Sequence, residues 1–408
     1  MRLLHTSDWH IGVNHHRLDR QPDHDHVFAQ IKNLAIEEQV DVILNTGDLF
    51  DKADPGIDTW KYGWSVLEEL SSVAPVVIVC GNHDSHKLFQ LMDMILKKRL
   101  EIYFIHPLTL RRGPESVLQL PTKEGETIRI AAVPFVKSSS YIRDYIEGDP
   151  ARATVAYADE VGALEHRVGQ WLNDPYDPSR DIRVFAAHLL VDGAEVSGSE
   201  YQLYVEHDFV TRPDRIPDAD YVAFGHIHKP QQIAGLEHGR YAGSPIPINF
   251  GERADEKLVY LVTGKPGYAL DIKERKLDIG RRLVEIRGNL DTIAADRERY
   301  AGSIARVVVE VDNPILQLES RVRELLPETL ICQVMVHNRQ QQGEPIVAAD
   351  DYDKPEFSIN EMFEAYVKEN PGLGESERIV KYFNELYGQV QHGDESEDTL
   401  TDLEEVAQ

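Results

Sequence analysis

Five short stretches of this chain deliver side chains that can bind a metal or carry a proton. They are Asp8-Trp9-His10, Gly47-Asp48-Leu49-Phe50-Asp51, Gly81-Asn82-His83-Asp84, the single His188, and Gly225-His226-Ile227-His228. Asp, Asn and His without any Cys form the donor set of a hard or borderline divalent ion. Two ions about 3.5–4 Å apart share a bridging ligand and act together on an in-line displacement, and the inventory is large enough to hold such a pair. The one-residue gap in Asp8-x-His10 and His226-x-His228 puts both donors on the same side of an extended chain, because side chains alternate with period two. Asn82 supplies a neutral oxygen, which keeps the charge low enough for a phosphodiester anion to approach.

The positioning elements are legible beside these residues. Val76-Val77-Ile78-Val79-Cys80 is continuously apolar, as a strand covered on both faces must be, and it ends at Gly81-Asn82-His83-Asp84. The runs Arg2–Ser7, Val42–Thr46, Val184–Ala187 and Tyr221–Phe224 end in the same way at the other four stretches. Ligands of open α/β sheets sit at such carboxyl ends. His207 competes with His188 as the isolated donor, and His188 is preferred because it ends a buried strand.

Helical spacing of apolar residues predicts helices over Val27–Glu38, Thr59–Ser71, His86–Lys98 and Thr154–Leu172. Strands alternating with helices up to about residue 275 give an α/β domain. The polar stretch between His10 and Val27 holds His15, His16, Arg17 and Arg20, which read equally as a solvated loop or as phosphate contacts. After the basic stretch Lys273–Arg282, a small βαβαβ unit without a donor cluster is expected: strands at Leu283–Ile286, Ile304–Val311 and Leu330–Val336, helices at Leu290–Tyr300 and Ile315–Leu326. A Pro-flanked acidic linker follows. Ser358-Ile359-Asn360-Glu361 then forms a capping box ahead of two amphipathic helices, with stripes including Met362, Phe363, Tyr366, Phe383, Leu386 and Tyr387. Each is too short to stand alone in water, so each needs a surface to cover it.

Cys80 and Cys332 are the only cysteines of the 408 residues, so there is no disulfide framework, which suits a reducing compartment. No apolar run is long enough for a membrane span, and the opening enters a donor motif directly, which leaves no room for a signal peptide. The formal net charge of -27 argues against a generic polyanion-binding surface, so anion binding must be local. Part of the excess is the tail from 393 to 408, with seven carboxylates and no Lys or Arg.

These motifs, in this order, resemble the calcineurin-like metallophosphoesterase family. The opening Arg2–Gly12 and Gly243-Ser244-Pro245-Ile246-Pro247 resemble, within it, bacterial nuclease subunits that process DNA double-strand breaks; the resemblance covers nearly the whole chain. It implies a four-layer α/β/β/α sandwich over 1–278, a small α/β capping domain over 279–343, a linker over 344–357, C-terminal helices for partner docking over 358–392 and an acidic disordered tail over 393–408. It implies that Asp8, His10 and His228 bind one metal, that Asn82, His188 and His226 bind the other, and that Asp48 bridges both. The ions the resemblance implies are Mn²⁺, with Mg²⁺ as a substitute. His83 is implied as a catalytic, substrate-facing residue and Asp84 as the group that orients it. Archaeal and eukaryotic relatives carry His at the position of Asp51, so Asp51 takes no role from the resemblance.

The implied activity is a Mn-dependent exonuclease on double strands and endonuclease on single strands and hairpins, with hydroxide attacking phosphorus in line. The implied partners are DNA and an SMC-like ATPase, with a homodimer inside a heterotetramer and no membrane, and the implied location is the cytoplasm at the nucleoid. Two other readings use the same residues. A phosphatase or cyclic-nucleotide phosphodiesterase would rarely need the second domain and the two orphan helices. A non-catalytic scaffold would not need a complete donor set.

Overall fold

Strand runs that are apolar on both faces can only be accommodated between two covering layers. The computed structural model describes residues 1–15, 18–136, 150–196, 210–313, 315–338 and 346–347, and there those runs lie at the centre of two stacked sheets. The first sheet has the order Asp271–Lys276, Leu258–Thr263, Arg2–Thr6, Val42–Asn45, Val76–Val79, Ile102–Ile105. Its last four strands are mutually parallel. The second has the order Gln231–Gln232, Gly239–Tyr241, Tyr221–Gly225, Asp181–His188, Thr127–Val133, Leu118–Pro121, again parallel through its middle four.

Alternation of side chains assigns the faces. Leu3, Val42, Leu44, Val77 and Val79 pack between the sheets against Ile128, Ile130, Val184, Ala186 and Ala223. On the outer face of the first sheet, Leu4, Ile43, Val76 and Ile78 meet Phe28 and Ile31 of helix Gln21–Glu37, Val66 and Leu70 of helix Ile57–Ser71, and Phe89 and Met92 of helix His86–Leu100. On the outer face of the second, Phe185, Ala187, Val222 and Phe224 meet Val161, Leu164, Val168 and Leu172 of helix Pro150–Asn173. The result is the expected four-layer α/β/β/α sandwich. The registers pair Thr6 with Asn45, Asn45 with Ile78 and Gly225 with His188, so each sheet ends its parallel strands level.

The structure corrects the reading of the polar stretch before Val27. The first helix starts at Gln21, with Pro22 in its first turn, six residues before the apolar spacing begins. Arg20 is neither solvated nor facing a phosphate. It is fully buried, with its guanidinium on Asp23 and on the carbonyl of Pro247. Arg281 closes on the same Asp23 carboxylate at 2.7 and 2.8 Å. Asp23 therefore holds two cations, and burial of Arg20 without it would leave an unpaired charge. His15 is buried beside Arg20, while His16 and Arg17 lie outside the described residues.

Beyond Arg282, Leu283–Gly288, Ile304–Val311 and Leu330–Asn338 form a parallel sheet, with its own core of Ile286, Val307, Val309, Leu318, Val322 and Val334. Ile346–Val347 adds an antiparallel edge strand opposite Met335 and Val336. These two β-branched residues fall within the stretch read as linker. The remaining linker, the two C-terminal helices, the acidic tail and His207 lie outside the described residues. Among the described residues no helix is long and apolar enough to cross a membrane.

Gly47 shows how tightly the two sheets approach at this edge. Its φ is +123°, and a Cβ there would fall inside the imidazole of His188. Gly47→Ala is therefore expected to destabilise the fold by roughly 2 kcal/mol or more through strain and overpacking, and to displace His188. Thermal unfolding and Mn²⁺ binding of the purified variant measure both; wild-type values in both would contradict the close approach.

Candidate metal centre

The loops leaving the strand ends lock onto one another before any metal is considered. The amide of Asp8 donates to the carbonyl of Gly47 at 2.9 Å, and those of His10 and Ile11 to the carbonyls of Asp48 and Leu49 at 3.0 Å. The carboxylate of Asp48 accepts the amide of His83 at 2.8 Å. That of Asp8 accepts the amide of His226 at 3.1 Å. Each acidic donor is thus aimed by the backbone of a different motif.

The cost of this arrangement is visible in the backbone. Among the described residues seven non-glycine positions have positive φ, and four of them are Asp8 (49°), His10 (45°), Asp48 (50°) and His226 (94°). Such conformations cost of order 1–3 kcal/mol each and persist where the surroundings over-determine them. Four of the seven residues predicted to hold metal are therefore held in left-handed conformations.

The side chains converge in two groups that share Asp48. His10 Nε2 and His228 Nε2 face each other at 3.1 Å; Asp48 Oδ2 is 3.6 Å from the first and Asp8 Oδ1 4.0 Å from the second. On the other side His188 Nε2 lies 3.4 Å from Asp48 Oδ2 and 2.9 Å from Asn82 Oδ1, and His226 Nδ1 lies 2.9 Å from the same Asn82 oxygen. All seven predicted donors are brought together. Asp8, His10, Asp48, His188, His226 and His228 are buried, and Asn82 is half-buried with His83, which marks the open side.

The donor set fits divalent ions. Asp8, His10, Asp48 and His228 can each offer one atom within 4.8 Å of the others. The facing Nε2 atoms of His10 and His228 share one proton as a hydrogen bond, and with that proton displaced both lone pairs are free for a cation. Burial, and then the charge of Asp48, push the Asp8 carboxyl up. Burial opposes ionisation of Asp48 too, but His188 and His83 outweigh it and hold that carboxyl well below its usual range. Burial alone would lower His188, yet Asp48 raises it to about 9, while burial and then His188 press His226 down to about 3. Two carboxylates share this buried pocket, and bound cations would offset their mutual repulsion.

Two residues are placed differently from the expectation. The carboxylate of Asp84 accepts the backbone amides of Gly81 (2.9 Å), Phe50 (3.2 Å) and Leu49 (3.3 Å). It ties the loop of Asp48 to the loop of Asn82, and its pKa is raised to about 7 by burial and then by Asp48. The ring of His83 is held at Nδ1 by the carbonyl of Asp51 at 2.8 Å. Asp51, which sequence reasoning left without a role, also places Oδ1 at 3.4 Å from Nδ1 of His10. Sequence reasoning missed Glu252 altogether. This fully buried carboxylate meets Nδ1 of His228 at 3.1 Å. Burial opposes its ionisation, but Lys257 and His228 hold it well below the usual carboxylate range. Its only sequence signal is a charge in the stretch after Ile246-Pro247, where it reads as an ordinary surface turn. Ser244, just before Ile246-Pro247, is also buried and donates its amide to the carbonyl of His228 at 3.1 Å.

Comparison with known proteins agrees with this geometry. The calcineurin-like phosphoesterase family pattern matches residues 1–230. The SbcD component of the nuclease SbcCD of Escherichia coli K12 is 25% identical over 379 residues, covering 89% of this chain and 92% of that protein. The SbcD component of Bacillus subtilis 168 is 25% identical over 407 residues, covering 97% and 100%. That of Rhodobacter capsulatus is 26% identical over 349 residues, covering 78% and 82%. With more than half of its length matched by the family pattern and its metal donors assembled at the strand ends, the chain belongs to the calcineurin-like phosphoesterase family.

Proposed function

We propose that this chain is the nuclease subunit of an SbcCD-type complex, a Mn²⁺-dependent phosphodiester hydrolase acting on DNA. The observation that carries the reading is the shared position of Asp48 between two donor groups, in a chain similar to SbcD proteins over nearly its whole length. In this reading Asp8, His10 and His228 hold one ion, Asn82, His188 and His226 the other, and Asp48 bridges them. Ions held by these residues would supply an activated water nucleophile and positive charge against the phosphoryl oxygens.

The chain's own residues do the rest. Its backbone cross-links aim the carboxylates before substrate arrives, so no reorganisation is needed at the reacting centre. The carbonyl of Asp51 accepts Nδ1–H of His83, which leaves Nε2 of that half-exposed ring to hold or deliver a proton. His83 Nε2 therefore serves the departing sugar oxygen. Asp84 acts by holding the His83 loop against the Asp48 loop.

The wider reading takes in an SMC-like ATPase of the SbcC type as partner, docked on the helices of 358–392. A homodimer within a heterotetramer is the expected assembly. The cytoplasm, at the nucleoid, is the expected location. Residues 279–343 form the capping domain, over exonuclease and hairpin endonuclease activity in DNA end processing. Assays on linear duplex DNA and on a small phosphodiester, with Mn²⁺ and with Mg²⁺, test the substrate and the metal together. Activity confined to the small ester would sink the nuclease reading.

Three further outcomes follow from the geometry. Asn tolerates the left-handed backbone of position 48, so Asp48→Asn removes charge without adding strain. It is expected to abolish activity and weaken binding of both ions; two tightly bound metals at full rate would remove Asp48 from the bridge. His83→Gln is expected to retain the metals and lose about 10²-fold or more in rate; the assignment fails if the metals leave or the rate holds. Truncation after residue 355 is expected to leave a folded nuclease on small substrates that no longer co-purifies with the ATPase. An unchanged complex would contradict docking, and an unfolded product would place the helices in the core.

A further inference from the structure

Two carboxylates outside the expected ligand set stand behind the histidines of one metal position. His10 and His228 turn their Nε2 atoms toward each other. At the opposite ring nitrogens, Glu252 Oε1 is hydrogen-bonded to Nδ1 of His228 at 3.1 Å, while Asp51 Oδ1 stands 3.4 Å from Nδ1 of His10 without a hydrogen bond between them. Across Asp48 the arrangement differs. His188 Nδ1 faces a neutral backbone carbonyl, that of Thr46, at 2.8 Å.

The Glu252 partner is built with care. Both Glu252 and Lys257 are fully buried side chains, 2.5 Å apart. Glu252 Oε2 also accepts Ser244 Oγ and the amide of Ile248, each at 3.1 Å. Lys257 reaches Ser244 Oγ at 2.9 Å and the carbonyl of His228 at 3.1 Å. A buried ion pair is a poor way to gain stability compared with apolar packing. Here its free oxygen is spent on one imidazole. Lys257 balances the charge of Glu252, so the effect on His228 is local: a fixed tautomer and a fixed ring plane. An imidazole whose N–H is taken by a carboxylate is a more basic ligand than one held by a carbonyl.

We propose that Glu252, held by Lys257 and seconded by Asp51, makes the Asp8–His10–His228 position the high-affinity position of the metal pair, which fills first, and leaves the Asn82–His188–His226 position weaker. The proposal rests on the two-metal reading above. Glu252 is a positioning residue, acting through His228.

Titration of the full-length protein with Mn²⁺, followed by the electron paramagnetic resonance signal of free Mn²⁺, reads affinity without turnover. Two classes of site are expected, with His228→Ala removing the tight class and His188→Ala the weak one. Glu252→Gln strands the Lys257 ammonium, so the charge-balanced Glu252→Gln/Lys257→Met pair is measured beside it, with thermal unfolding of the metal-free proteins as the control for folding. The folded variant is expected to lose about 10- to 100-fold in the tight class and nothing in the weak class. Asp51→Asn is expected to act on the same class. A tight class that is unmoved, or both classes moved alike, overturns the role of Glu252 while two bound Mn²⁺ keep the two-metal reading. Wild-type protein that takes up fewer than two Mn²⁺ overturns the two-metal reading itself.

Discussion

The charge of Asp48 is the constraint on which the rest of the structure depends. A carboxylate with no solvent exposure to speak of needs compensation, and it finds His10, His188 and the amide of His83 around it. To bring those groups within reach, strand ends from both sheets must meet at one edge. That is why Gly47 passes beneath His188 and why a side chain at Gly81 would strike Asp48. It is also why Asp84 gives its carboxylate to three backbone amides of the two loops. The hydrophobic layers make the sheets rigid, and that rigidity sustains the left-handed backbone at Asp8, His10, Asp48 and His226.

Much of this was legible in the sequence because it is local. An apolar run ending in Asp, Asn or His states both its burial and its cargo, so the strands at Arg2–Thr6, Val42–Asn45, Val76–Val79, Asp181–His188 and Tyr221–Gly225 and their donors could be read one motif at a time. The β-branched run Ile304–Val311 announced a second sheet in the same manner. The convergence of the donors was legible only through their shared type, since nothing in any single motif states its neighbours.

What stayed hidden depends on distant partners. Arg20 looks solvated until Asp23 and Arg281 surround it, and the latter lies 258 residues from Asp23. The polar first turn, Gln21 to His26, masks the helix start because His24 is spent on the carbonyl of Trp9 rather than on a helical stripe. Glu252 and Lys257 read as ordinary surface charges because polarity in sequence does not distinguish a solvated ion from a buried pair. Asp84 has further partners of this kind: an acid next to a histidine in sequence suggests a dyad, and here its carboxylate also accepts backbone amides across the loop.

The turn Phe250–Glu252 joins these levels. Glu252 faces the metal centre, while Phe250, two residues earlier, packs with Leu283 and Ile304 of the small parallel sheet and lies beneath the guanidinium of Arg306 at 4.5 Å. One short 3-10 turn is therefore wedged between the imidazole of His228 and that sheet. With a formal charge of -27, the chain as a whole repels a phosphodiester. Exposed charges farther than about 8 Å are largely screened at physiological ionic strength, so attraction has to be generated at the site, where bound divalent ions would supply it. A buried histidine held by Glu252 keeps its place for such an ion, which a surface of mobile lysines would not.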